Sequence, residues 1–136
     1  RMFDTKIAIL VRDDLPMWQR LNVTAFLATG IAAAAPESLG AAYADANGRR
    51  YAPLCGQPIL IFAADLAGLQ AAHRIGLARE LTMAAYVFPM FATGHDEANR
   101  QVFLAEDAEN MDLVGIALRG PKKGVEKATK GLILHP

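Results

Sequence analysis

Two kinds of pattern succeed each other along the chain. Residues 6–11 are apolar without a break after Lys6, and Ile7, Ile9 and Val11 are β-branched. Such a run reads as a strand covered on both faces, as in a sheet sandwiched by helices. Arg12, Asp13, Asp14, Leu15 and Pro16 interrupt it. From Trp18 the period becomes helical, with Leu21, Ala25, Ala28 and Ala32 on one stripe and Val23, Phe26, Gly30 and Ala34 on a second. A helix with two apolar stripes leaves little surface for water, so residues 18–35 are expected between the sheet and a second layer or a subunit. Pro36 ends that helix.

The alternation continues to the end of the chain. Asn47-Gly48, at the centre of residues 43–51, tolerates the positive φ angles of a tight turn and predicts a short exposed hairpin. Gly56, Gln57 and Pro58 introduce a second buried strand at 59–63. Asp65 is a good N-cap for a helix with Leu66, Leu69, Ala72 and His73 on one face, ending near Gly76. Residues 82–91 read as a third strand, and Thr93, Gly94, His95 and Asp96 as a polar loop. A helix is expected at 96–105, where Asp96 and Glu97 suit its dipole, and a fourth core strand at 113–118. Gly120-Pro121 opens a last short helix that Gly131 closes before a strand at 132–134. Strands alternating with helices predict a single α/β domain over residues 1–136. Its expected form is a three-layer sandwich with a mixed, mostly parallel sheet of about four core strands.

Composition narrows the class. The 136 residues are 53% apolar, enough for one core without disulfides or metal. The 14 basic and 14 acidic side chains cancel, which removes the net field that draws proteins to nucleic acid or anionic membranes. Cys55 is the single cysteine, so an intrachain disulfide is excluded and a reducing cytoplasm is expected. The apolar stretch 23–35 contains Thr24, Thr29 and Gly30 and runs into Pro36, so neither a membrane span nor a membrane partner is expected, and the residues from Phe3 on lack the form of a signal peptide.

Three stretches together carry a resemblance: residues 6–17 ending in Arg12, Asp13, Asp14, Leu15, Pro16 and Met17; Gly120-Pro121 with residues 125–129; and the closing strand. They resemble the type 2 peptidyl-tRNA hydrolase fold. Residues 18–27 are more closely similar to a bacterial family of unknown function thought to share that fold. The resemblance implies the fold and departs from the hydrolases in their chemistry. Trp18, Gln19, Arg20 and Leu21 stand where those enzymes carry a Gly-Lys-Gly-Lys type turn, and residues 93–97 replace their later Asp-Ala-Gly-x-Thr segment. The catalytic lysine has no counterpart.

Ligands of α/β folds bind outside the carboxyl ends of strands, which places Arg12, Asp13 and Asp14 at such a position with Trp18, Gln19 and Asn22 on the first helical turns. If Thr93, His95 and Asp96 converge on this loop, a polar pocket with one imidazole results. The plainer alternative is that Asp14 caps the helix, Asn22 satisfies backbone groups, Trp18 is core and His95 is a turn and cap residue. His73, His95 and His135 have no acidic partner at helical spacing, so no metal and no cofactor is expected. Cys55 reads as packing, and His73 as a half-buried helix residue.

Arg119, Lys122, Lys123, Lys127 and Lys130 form the one basic cluster, either a solvated helix face partly neutralised by the acidic stretch 106–112 or a phosphate grip. Any nucleic-acid contact would run through it, without aromatic residues for stacking. The first functional expectation is a domain that binds a small molecule or partner through the Arg12 and His95 loops. A hydrolase of a peptidyl or aminoacyl ester, with His95 as base oriented by Asp96 or Asp14, is the second, and a homodimeric scaffold built on the first helix the third.

Overall fold

The computed structural model describes residues 3–136. In chain order it contains β1 (Thr5–Arg12), α1 (Met17–Ala34), β2 (Tyr43–Ala44), β3 (Arg50–Tyr51), β4 (Ile59–Ala64), α2 (Leu66–Ala78), β5 (Thr82–Val87), α3 (Asp96–Leu104), β6 (Leu113–Pro121), α4 (Lys122–Thr129) and β7 (Ile133–Leu134). Tight 3-10 turns occupy Pro36–Ser38 and Phe88–Ala92. The main sheet has five strands in the order β5-β6-β1-β4-β7, and β2 pairs with β3 apart from it.

The expectation of a mostly parallel sheet of about four strands is corrected. Only β1 and β4 are parallel, whereas β1–β6, β4–β7 and β5–β6 are antiparallel. A parallel neighbour needs a long crossover, which α1 and the following segment supply between β1 and β4. Between β5 and β6 the chain makes only the short α3 and turns back beside the strand it left. Pairing direction is not encoded in hydrophobic period, which is why alternation of strands and helices misled.

β1 is central, and Ile7 to Val11 are all at most 1% exposed, as a strand covered on both faces requires. Its alternate side chains divide between two cores. Ile7, Ile9 and Val11 meet Val23, Leu27 and Ile31 of α1. Ala8 and Leu10 meet Leu69 and Ala72 of α2 and Val125 and Ala128 of α4 on the opposite face. Glycine lets α1 sit directly on the sheet. A Cβ at Gly115 of β6 would lie 2.5 Å from Val23 Cγ1 and 2.9 Å from Leu27 Cδ1.

A sheet of five strands spaced about 4.8 Å apart is nearly twice as wide as one helix, about 10 Å across. α1 packs on β5, β6 and β1, and among the described residues no other helix or strand packs over its outer side. Two-sided burial of α1 within one chain is therefore not observed: Met17, Trp18, Leu21 and Phe26 are all more than half exposed. Residues 40–56 likewise form an arm. Its β2–β3 hairpin is organised by Asp45, which accepts hydrogen bonds from Asn47 N, Arg49 N, Arg49 Nε and the Tyr51 hydroxyl, with Gly48 at φ 82° in the turn. Tyr43, Tyr51 and Leu54 on this arm are exposed.

Smaller differences have local causes. The strand expected at 82–91 stops at Val87, because Pro89 has no N–H to continue the ladder and Phe88–Ala92 coils into a 3-10 turn. β6 runs on to Pro121, which becomes the N-cap of α4. α2 continues past Gly76 to Ala78, because Gly76 is buried against Met83 and Leu118. Asp65 caps α2 by accepting from Gly68 N at 2.8 Å.

Candidate functional site

β1 and β5 both run antiparallel to β6, so the Arg12 loop and the His95 loop leave the same end of the sheet. At that end Arg12 is the organising residue. Its guanidinium donates to Asp14 at 2.7 Å through Nε, and to Asp112 at 2.9 Å and the Leu113 carbonyl at 3.2 Å through its terminal nitrogen. It also stands 5.6 Å from the centre of the Phe88 ring. Burial alone would lower the pKa of this group, but the hydrogen bonds and charges of Asp14 and Asp112 outweigh it and raise it. Arg12 is thus a fixed cation, held as a structural clamp between the first loop and the start of β6.

Arg20 ties down the rest of the loop. It donates to the carbonyls of Leu15 and Asp13 and, 3.2 Å away, to Nε2 of His135. α1 begins at Pro16 without a side-chain cap. Asp14 therefore serves Arg12 and does not cap the helix.

Beside the clamp lies a ladder of five aromatic rings. Trp18 packs edge-on to Phe91 with centroids 6.3 Å apart, Phe91 contacts Phe88 at 5.8 Å and Tyr86 at 5.4 Å, and Tyr86 meets Phe26 at 6.1 Å. These separations fall within the favourable range for aromatic pairs. Tyr86 is the buried member, and burial raises its hydroxyl pKa. Trp18 remains 62% exposed, so its indole forms an outer shelf instead of core.

Of the residues expected to line a site, Arg12, Asp13, Asp14 and Trp18 stand at this end together, joined to the 3-10 turn of Phe88–Ala92 by the Arg12–Phe88 and Trp18–Phe91 contacts. Gln19 is half-buried and Asn22 exposed, on the following turn. Thr93 turns inward, its hydroxyl bonded to the Met90 carbonyl at 2.9 Å and to the Asn99 side chain. His95 caps α3: its Nδ1 accepts from Ala98 N at 3.2 Å. A neutral ring in that role carries its proton on Nε2 and has its one lone pair in use. Asp96 pairs with Arg100 one turn on. The hydrogen bonds of His95 and Asp96 thus stay within their own loop and helix.

The family model described as a protein of unknown function (DUF2000) matches residues 5–136. The chain belongs to the DUF2000 family. A solved protein of unknown function from Agrobacterium tumefaciens strain C58 is 50% identical, superposes with a TM-score of 0.95, and aligns over 99% of this chain and 100% of its own. No curated protein matches the chain in sequence. The described residues of this DUF2000 chain bring no three His, Cys, Asp or Glu side chains together as a metal would need, and contain no helix long and apolar enough to cross a membrane.

Phe88, Phe91, Asp112, Arg20 and His135 were not expected at this site from the sequence, yet they build this end of the DUF2000 domain. Pro89 inside an apparent strand was the available signal for the turn that presents Phe88 and Phe91. Asp112 belongs to the acidic stretch expected near the lysines. Among the described residues no ion pair joins the two, since Asp112 serves Arg12 and Glu106 accepts from Asp112 N at 2.7 Å.

Proposed function

We propose that this chain is a small-molecule-binding domain of the type 2 peptidyl-tRNA hydrolase-like fold, which lays a planar aromatic ligand with a cationic head on the Trp18–Phe91–Phe88 shelf. The observation that carries the reading is the exposed indole at the head of a braced aromatic ladder. An apolar surface held rigid by its neighbours binds with little ordering cost. The head group is inferred from charge: the carboxylates of Asp13, Asp14 and Asp112 outnumber the guanidinium groups of Arg12 and Arg20 at this end by one. Gln19 and Asn22 add hydrogen-bonding groups on the next turn. A reducing, cytoplasmic setting fits the lone, half-buried Cys55. A hydrolase has less support, because the first loop has no lysine and the His95 lone pair is engaged.

Trp18 is the only tryptophan, so its fluorescence reports on the shelf directly. Benzylamine is expected to quench it and raise Tm, benzyl alcohol to do so more weakly, and benzoate not at all. Trp18→Ala should keep the fold, since the side chain is exposed, and weaken benzylamine binding seen by calorimetry about tenfold or more. Equal responses to the cation and the anion would sink the assignment.

A second reading, the homodimeric scaffold, rests on a separate observation. Residues 21–36 carry no charge, Leu21 is 65% exposed, and the arm at 40–56 presents Tyr43, Tyr51 and Leu54 away from its own body. An isolated two-stranded hairpin is marginal in water. A second copy, related by a two-fold axis, would cover each arm and the Met17–Leu21 flank of α1 at once. That flank borders a groove of about 260 Å³ lined by Arg20, Thr24, Ile61 and His135, so it leaves the Trp18 flank free. Light scattering is expected to give twice the 14.6 kDa chain mass, and Leu21→Lys to give the monomer. A native chain that stays monomeric at 100-fold micromolar concentration removes the scaffold.

A further inference from the structure

Most charged clusters on this surface are internally balanced. Arg12 pairs with Asp14 and Asp112, Arg49 with Asp45, Arg100 with Asp96, Arg119 with Glu37 and Lys6 with Glu126. The face opposite α1 breaks that habit. There α2 and α4 lie side by side, and a groove of about 590 Å³ between them is lined by Ile75, Arg79, Lys123, Glu126, Lys127 and Lys130. Lys123 and Lys127 are one turn apart on α4, and Lys130 follows three residues on, so all three share a face. Arg79 enters from the end of α2. Gly124 lets α4 pack closely there, since a Cβ would lie 3.0 Å from Leu81 Cδ2.

Glu126 does not balance these cations. It lies 2.7 Å from Lys6, whose hydrogen bond holds its carboxyl below the usual range. Among the described residues, Arg79, Lys123, Lys127 and Lys130 form no ion pair and no side-chain hydrogen bond. Helix dipoles account for part of the arrangement. Arg79, Lys127 and Lys130 stand at helix C-termini, where positive charge is favourable. Lys123 does not fit, because it sits in the first turn of α4, where the dipole opposes a cation. Lys123 is therefore the one cation lining the groove, among the described residues, that its own helix end does not favour.

We propose that this groove binds a small ligand bearing two or more phosphate groups. Lys130, the C-cap of α4, lies seven positions after Lys123, about 10 Å along the axis, which suits several linked phosphates better than one. Ile75 gives the groove an apolar patch. The groove has no aromatic side chain for base stacking, and the chain has no net positive field to attract a polymer. Those two features favour a compact polyanion over a nucleic-acid strand.

Inorganic tripolyphosphate is the probe. Titration calorimetry of the full chain at low salt is expected to show one site per chain, weakened about tenfold or more at 150 mM salt. Lys123→Glu with Lys127→Glu changes two exposed side chains, and circular dichroism verifies its fold. That variant should lose binding about tenfold or more, while Arg50→Glu on the arm leaves it unchanged. Absence of tripolyphosphate binding overturns the proposal, as does equal binding by the double variant. Tighter binding of a single-stranded oligonucleotide than of tripolyphosphate also overturns it, and would assign the groove to nucleic acid.

Discussion

Arg12→Ala is expected to destabilise the domain by about 2–3 kcal/mol, read as a lower denaturation midpoint in urea with the slope unchanged. The estimate follows from exposure. Removing one partner of a fully buried ion pair costs about 3–5 kcal/mol, and an exposed pair contributes about 0–1. The Arg12 side chain is 12% exposed, but Asp14 and Asp112 are 64% and 48% exposed, so the value lies between. Without the guanidinium, two carboxylates face each other with no cation, the Leu113 carbonyl loses a donor, and Phe88 loses the group beside its ring. Arg12→Lys should recover no more than half of the loss, because one ammonium cannot reproduce a fork that reaches two carboxylates. If Arg12→Ala unfolds at the native midpoint, the clamp has no structural role.

Gly115→Ala is expected to cost about 1–3 kcal/mol and to lower Tm by roughly 3–10 °C. The added methyl meets Val23 Cγ1 at 2.5 Å. Val23 cannot swing aside, since a β-branched side chain in a helix has essentially one rotamer. α1 must therefore lift from the strand it covers. Val23→Ala is destabilising alone through the cavity it leaves, yet combined with Gly115→Ala it should recover part of the loss, a coupling that a double-mutant cycle measures. Gly94→Ala is the control: nothing lies within 4 Å of its added Cβ, and its Tm should stay near native. Purely additive losses at Gly115 and Val23 would show that the close approach is relaxed elsewhere.

What was legible in the sequence was local. The unbroken run after Lys6 identified the central strand because burial on both faces removes alternation, and Asp65 marked its helix because an N-cap bond spans only three residues. The plainer reading of His95 as a cap was legible for the same reason, since it reaches Ala98. What was not legible depended on partners far along the chain. The Arg12–Asp112 pair joins residues 100 positions apart. Periodicity indicates which face a side chain takes, not which side chain meets it. The aromatic ladder was hidden in the same way, with Trp18 and Phe26 on one helix and Tyr86, Phe88 and Phe91 in a segment first read as continuous strand. The faces of α1 were less legible: the side on the sheet is Val23, Leu27 and Ile31, of which only Val23 stood on an expected stripe, and exposed Leu21 and Phe26 came one from each stripe.

Strand order also governs how the chain acquires its structure. Among the described residues β6 is the only neighbour of β5, and it fills the place between β5 and β1. It begins at residue 113, so a nascent chain that has already made β1, α1, β4 and β5 can pair β1 with β4 but cannot yet attach β5. Until that keystone arrives, one edge of β1, both edges of β5 and part of the seat of α1 remain exposed to any passing chain. Long-range closure of this kind is slow. The interval between synthesis of β5 and insertion of β6 is therefore when the unfinished sheet is most open to wrong pairing.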